Sequence, residues 1–126
     1  MAPFPAAPTD VTHINDGPRG PELDLEGVQP EDEFFGGCVR THPEISQKGN
    51  PLNYVTPDSK LPPILIAHGD QDDLVPFQQS VLMYDKLKEC NQLVEFYKVL
   101  SVGHGIYMWT AEMIDIVVRF FEMYLK

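Results

Sequence analysis

An α/β fold in which parallel strands alternate with crossover helices is what residues 60–126 predict, and three features carry the prediction. A short apolar run ends in His68-Gly69-Asp70, a second run rich in branched and aromatic residues ends in Gly103-His104-Gly105, and a stretch with helical apolar spacing follows each. Residues 1–59 are rich in proline, glycine and acidic side chains and hold no sustained period of 2 or 3.6. That half reads as an irregular lid or connecting region of loops and short elements, and the Pro-rich opening MAPFPAAP reads as a poor start to any packed element.

Taken in order, Pro63-Ile64-Leu65-Ile66-Ala67 is a continuous apolar run, the pattern of a central strand buried on both faces. Pro76 suits a first helical turn, after which Phe77, Val81, Tyr84 and Leu87 recur on one face of an amphipathic helix that stops near Asn91. Gln78, Gln79, Asp85, Lys86, Lys88 and Glu89 are expected on the opposite, solvent side. Val94 to Leu100 gives the second strand, rich in β-branched and aromatic residues, and the two glycines after it break it. From about Thr110 to Lys126, Met113, Ile116, Val117, Phe120, Phe121 and Tyr124 form an apolar stripe expected to face the sheet. Tyr107 and Trp109 read as aromatic packing for this helix in preference to the wall of an acyl pocket.

Composition excludes several function classes. A chain of 126 residues with 43% hydrophobic residues is the size of one domain, and no apolar run reaches the roughly 18 residues of a membrane span. Nine Lys and Arg against a net charge of −10 argue against a nucleic-acid partner, because phosphate binding needs clustered cations. The acidic cluster Glu22, Asp24, Glu26, Glu31, Asp32 and Glu33 reads as a solvated face. Cys38 and Cys90 are read as ordinary thiols, and no second pair completes a metal site with Cys38 and His42, so neither metal nor cofactor is expected. His13 and His42 have no identifiable partners, and the compartment stays open.

In open parallel sheets, functional groups collect on loops beyond the carboxyl ends of the strands, and both informative loops stand there. His68-Gly69-x-x-Asp72-x-x-Val75-Pro76 places a carboxylate a few residues past one strand, and Gly103-His104-Gly105 places an imidazole past the next. A carboxylate that accepts the Nδ1 proton of a histidine fixes its tautomer and stabilises the imidazolium formed when Nε2 takes a proton. Asp72 and His104 are therefore the candidate catalytic residues. Asp72 taken alone also fits a turn or helix-capping role, Asp70 and Asp73 are its local rivals, and His104 alone also fits a hydrogen-bonded loop histidine. His68 reads as structural.

HGDQDDLVP followed by about thirty residues and then GHG resembles the acid and histidine loops of α/β-hydrolases of the carboxylesterase, acetyl-esterase and dienelactone-hydrolase type, and those of the related prolyl-oligopeptidase catalytic domains. Upstream, Ala7-Pro8-Thr9-Asp10, Phe35-Gly36-Gly37 and Asn50-Pro51-Leu52-Asn53-Tyr54-Val55 are similar to segments between nucleophile and acid in such esterases. The resemblance implies a partial α/β-hydrolase domain over residues 1–126, its C-terminal part, with Asp72 as triad acid, His104 as base and no cofactor.

The sequence departs from the family pattern at the nucleophile. No Gly-x-Ser-x-Gly occurs, and none of Ser46, Ser59, Ser80 and Ser101 has the flanking glycines of a sharp strand-to-helix turn. An HGGG-like oxyanion loop is also missing. The expectation is a gene-model fragment starting at an internal methionine, from a parent that cleaves small carboxylic esters through an acyl-serine, with this chain inactive and marginally stable alone. Peptide-bond hydrolysis, or a non-catalytic module that pairs through an exposed sheet edge or self-associates, are the alternatives.

Overall fold

The computed structural model describes residues 2–5, 8–11, 14, 30–39 and 41–125. His13, Glu22, Asp24, Glu26 and Ala7 lie outside the described residues. In chain order the elements are β1 (Ala2–Pro5), α1 (Pro30–Phe35), α2 (Pro43–Gly49), a 3-10 turn (Pro51–Tyr54), β2 (Ile64–Gly69), α3 (Gln78–Glu89), β3 (Val94–Val99), a second 3-10 turn (Ile106–Met108) and α4 (Ala111–Tyr124). The strands form one parallel sheet in the order β1-β2-β3, with Ala2 opposite Ile64 and Ile64 opposite Val94.

The apolar run of β2 makes it the centre of two cores, because successive side chains of a strand point to opposite faces. Ile64 and Ile66 join Val55, Met83, Leu87 and Phe96 on the α3 side, while Leu65 and Ala67 join Met108, Met113, Val117 and Phe120 on the α4 side. Full burial of a side chain such as Leu65 or Leu87 contributes about 1.5–3 kcal/mol. His68, an even-numbered position, therefore falls on the α3 face and is fully buried there.

The helices stop and start on local signals. Asn91, at φ 55°, takes the left-handed conformation that ends α3, and the Gln92 N–H reaches back to the Leu87 carbonyl. Thr110 caps α4, its hydroxyl accepting from Met113 N–H at 3.1 Å. Met113 and Phe120 of the α4 stripe are buried, and Ile116, Val117 and Tyr124 pack partly buried against the same core. Glu31, Asp32 and Glu33 occupy the first turn of α1, where backbone N–H groups favour negative charge, and Asp32 accepts from Val39 N–H at 2.9 Å.

The structure corrects three expectations. Ala2–Pro5 of the Pro-rich opening is a strand: its prolines alternate, so both missing donors fall on one side of the strand, as an edge position allows. Gln79 does not face solvent but is 3% exposed, with Oε1 accepting from Thr9 N–H at 2.8 Å and Asp10 N–H at 2.6 Å. Backbone donors replace water at the buried amide oxygen, a pairing that helical spacing alone does not foretell. Tyr107 and Trp109 are 77% and 43% exposed, and the residue of that segment that enters the core is Met108.

Gly69 closes β2 where the backbone after β3 comes closest. A Cβ there would lie 2.2 Å from the Val102 carbonyl oxygen, and that oxygen accepts from Gln71 N–H at 3.0 Å. Because the obstacle is backbone, Gly69→Ala is expected to lower unfolding stability by about 1–3 kcal/mol, read as a lower urea midpoint against the unsubstituted chain.

Candidate functional site

The carboxyl ends of β2 and β3 are joined by backbone before any functional side chain is placed. Asp70 N–H donates to the Val99 carbonyl and Gln71 N–H to that of Val102, so the loop after β2 and the loop after β3 lie against each other. Asp70 is used in this seam: Oδ1 accepts from Ser101 N–H at 2.6 Å, Oδ2 lies 3.4 Å from Lys98 Nζ, and Ser101 takes φ 59°. Asp73 is exposed. Of the three neighbouring carboxylates, Asp72 is the one turned inward, with 1% of its side chain exposed.

Asp72 Oδ1 accepts from Leu74 N–H at 3.0 Å and Val75 N–H at 2.8 Å, so the turn role and the inward role are filled by one side chain. Its Oδ2 lies 2.9 Å from His104 Nδ1. A carboxylate only accepts, so the Nδ1 proton of His104 donates to it and the lone pair is left on Nε2. The His104 side chain is 37% exposed, and Gly105 follows at φ 100°, a conformation open to glycine. A buried acceptor behind a half-exposed imidazole is the arrangement that takes a proton from a hydroxyl at Nε2 and returns it to a leaving group.

Behind this pair lies a histidine that the sequence reading set aside as structural. His68 Nε2 is 2.9 Å from the Val75 carbonyl oxygen and 3.2 Å from Asp72 Oδ2, and Nδ1 is 2.6 Å from Ser80 Oγ on α3. Burial holds the His68 pKa below its ordinary value, outweighing the pull of the Asp72 charge in the other direction. The frame His68-x-x-x-Asp72 was a readable signal for this contact, whereas nothing in the sequence around Ser80 points to it.

The remaining serines stand elsewhere: Ser46 Oγ donates to the Pro43 carbonyl, Ser59 Oγ to that of Tyr54, and Ser101 lies exposed in the seam. His42 is exposed beside Glu44. Among the described residues no group of three or more His, Cys, Asp or Glu is placed to hold a metal ion, and no helix is long and apolar enough to cross a membrane.

Residues 5–87 match the family model BD-FAE, a range that takes in Asp72 and ends before His104. Esterase LipC of Mycobacterium tuberculosis (strain ATCC 25618 / H37Rv) is 29% identical over 68 residues, which make up 53% of this chain and 16% of LipC. A truncated form of a carbohydrate esterase from gut microbiota superposes on 98% of the chain with a TM-score of 0.78 and 28% identity, the match covering 42% of that protein. The bifunctional GH43-CE protein of Bacteroides eggerthii superposes equally widely with a TM-score of 0.81, the match covering 16% of that protein, and at 22% identity speaks to the fold alone. The chain thus spans less than half the length of each of these relatives.

The depressed pKa of His68 ties stability to pH. Below the ordinary histidine value of 6.5 the unfolded chain takes up a proton that the folded chain refuses, so this contribution is complete above 6.5 and is lost as pH falls beneath it. Thermal midpoints measured from pH 7.5 down to 5 are expected to fall, and to fall less in His68→Gln, which has no imidazole to titrate.

Proposed function

Because this chain belongs to the BD-FAE family and has the α/β-hydrolase fold, we propose that it supplies the acid and base of a serine esterase, with Asp72 orienting His104 and the nucleophilic serine coming from outside these 126 residues. The observation that carries this reading is the 2.9 Å contact between Asp72 Oδ2 and His104 Nδ1, which leaves Nε2 as the acceptor of the ring.

In the proposed reaction His104 Nε2 removes the serine hydroxyl proton as Oγ bonds to the ester carbonyl carbon. The imidazolium formed is stabilised by Asp72. When the tetrahedral intermediate collapses, the bond to the alcohol oxygen breaks and His104 gives that oxygen the proton. Water then repeats the sequence on the acyl-serine, releasing the carboxylic acid and restoring the hydroxyl. The substrate class proposed is a small carboxylic ester, with acylated sugars favoured by the likeness to a carbohydrate esterase.

The test is hydrolysis of p-nitrophenyl acetate by this chain, by a BD-FAE-family N-terminal part that carries the serine, and by the two together. Activity is expected only in the mixture. His104→Ala and Asp72→Asn are each expected to lower kcat by about three to four orders of magnitude in that mixture. An inactive mixture of parts shown to be folded and associated overturns the esterase reading.

A further inference from the structure

Asp72 Oδ2 faces two imidazoles, and only one belongs to the proposed proton transfer. On the other side of the oxygen stands His68 Nε2, at 3.2 Å, on a ring with none of its surface exposed. The tautomer of His68 follows from its neighbours. Nε2 faces two acceptors, the Val75 carbonyl at 2.9 Å and Asp72 Oδ2, so it carries the proton. Nδ1 is then the acceptor, and the Ser80 hydroxyl, 2.6 Å away, donates to it. The N–H is bonded to Val75, and the positive end of its dipole lies beside the oxygen that receives His104.

We propose that His68 is a positioning residue of this site that acts through Asp72: its Nε2–H draws charge from Oδ2 and so keeps His104 unprotonated, and able to accept a proton, at lower pH than Asp72 alone would allow. The proposal rests on the reading of His104 as base. The charged and titratable groups around this cluster are few. From the loop after β2 come Asp72 itself and Asp70, which is engaged by Lys98 of β3; from the loop after β3 comes His104; α3 contributes the Ser80 hydroxyl, and Phe77 just before it the ring 5.4 Å from that of His68. Among the described residues, His68 is the side chain other than His104 that lies in direct reach of Oδ2.

The sign of the effect separates this role from a packing role. Removing a donor from beside Oδ2 returns charge to the carboxylate, strengthens its hold on an imidazolium and raises the His104 pKa. Loosening the loop instead would weaken the pair and lower it. Ring 15N and 1H NMR titration of the 126-residue chain reads this directly. His68→Leu is expected to raise the His104 pKa by roughly half a unit or more, and His68→Gln, which keeps an N–H donor, to stay near the unsubstituted value. In the active mixture the acid limb of the kcat/KM pH profile should move up with it.

An unchanged or lowered His104 pKa in folded His68→Leu overturns the proposal. If that variant does not fold, the unsubstituted chain still decides: His68 is expected to hold its single proton on Nε2 throughout the His104 titration. A proton on Nδ1, or a His68 that charges before His104, overturns the proposal. The titration needs neither serine nor substrate, so it settles the role of His68 whether or not the mixture hydrolyses esters.

Discussion

A carboxylate with 1% of its side chain exposed can stay buried only if protein donors replace the water it has lost, and at Asp72 they come from its own turn and from the loop after β3. Leu74 and Val75 supply backbone N–H groups from its own turn and His104 supplies Nδ1–H from the loop after β3, while His68, at the end of β2, bonds through Nε2–H to the Val75 carbonyl with Asp72 Oδ2 3.2 Å away. Each donor fixes the element that carries it. The turn leading into α3, the loop bearing His104 and the last residues of β2 are thereby held to one point, and the site exists because that burial has to be satisfied.

The strand beneath makes such a point available. β2 packs Ile64 and Ile66 into the core on one face and Leu65 and Ala67 on the other, so the chain emerging from it is anchored from both sides. Gly69 then removes the one Cβ that would hold the backbone after β3 away, and the Asp70 and Gln71 N–H groups close onto Val99 and Val102. The two loops meet through this backbone contact, on which the side-chain pair depends. Asp70 contributes by engaging Ser101 and Lys98, which leaves Asp72 as the inward carboxylate.

A second buried polar contact ties the irregular half to the regular one. Gln79 on α3 accepts from the backbone of Thr9 and Asp10, and Asn50 Nδ2 donates to Asp10 Oδ1. The family match begins at residue 5 and runs through this region into α3, so the part of the chain that lacks periodicity is no appendage to the fold. Among its described residues these hydrogen bonds stand beside buried Val11, Ile14, Val39 and Val55.

What the sequence determined by itself were the elements whose signal is local. A continuous apolar run marks β2, branched and aromatic side chains mark β3, helical spacing marks α3 and α4, and the glycines after each strand place Asp72 and His104 on loops. Tertiary structure alone decided the rest. Ala2–Pro5 becomes a strand because β2 has a free edge sixty residues later, and proline carries no local signal for that. Gln79 turns inward because Thr9 and Asp10 offer it donors, although its place on the helix reads as solvent-facing. His68 meets Asp72 and Ser80 because the parity of β2 points it at α3, and which of three aspartates faces it depends on hydrogen bonds that only the closed loops can make. Periodicity reports how a residue relates to its own element, whereas a buried polar contact is set by what another element brings to it.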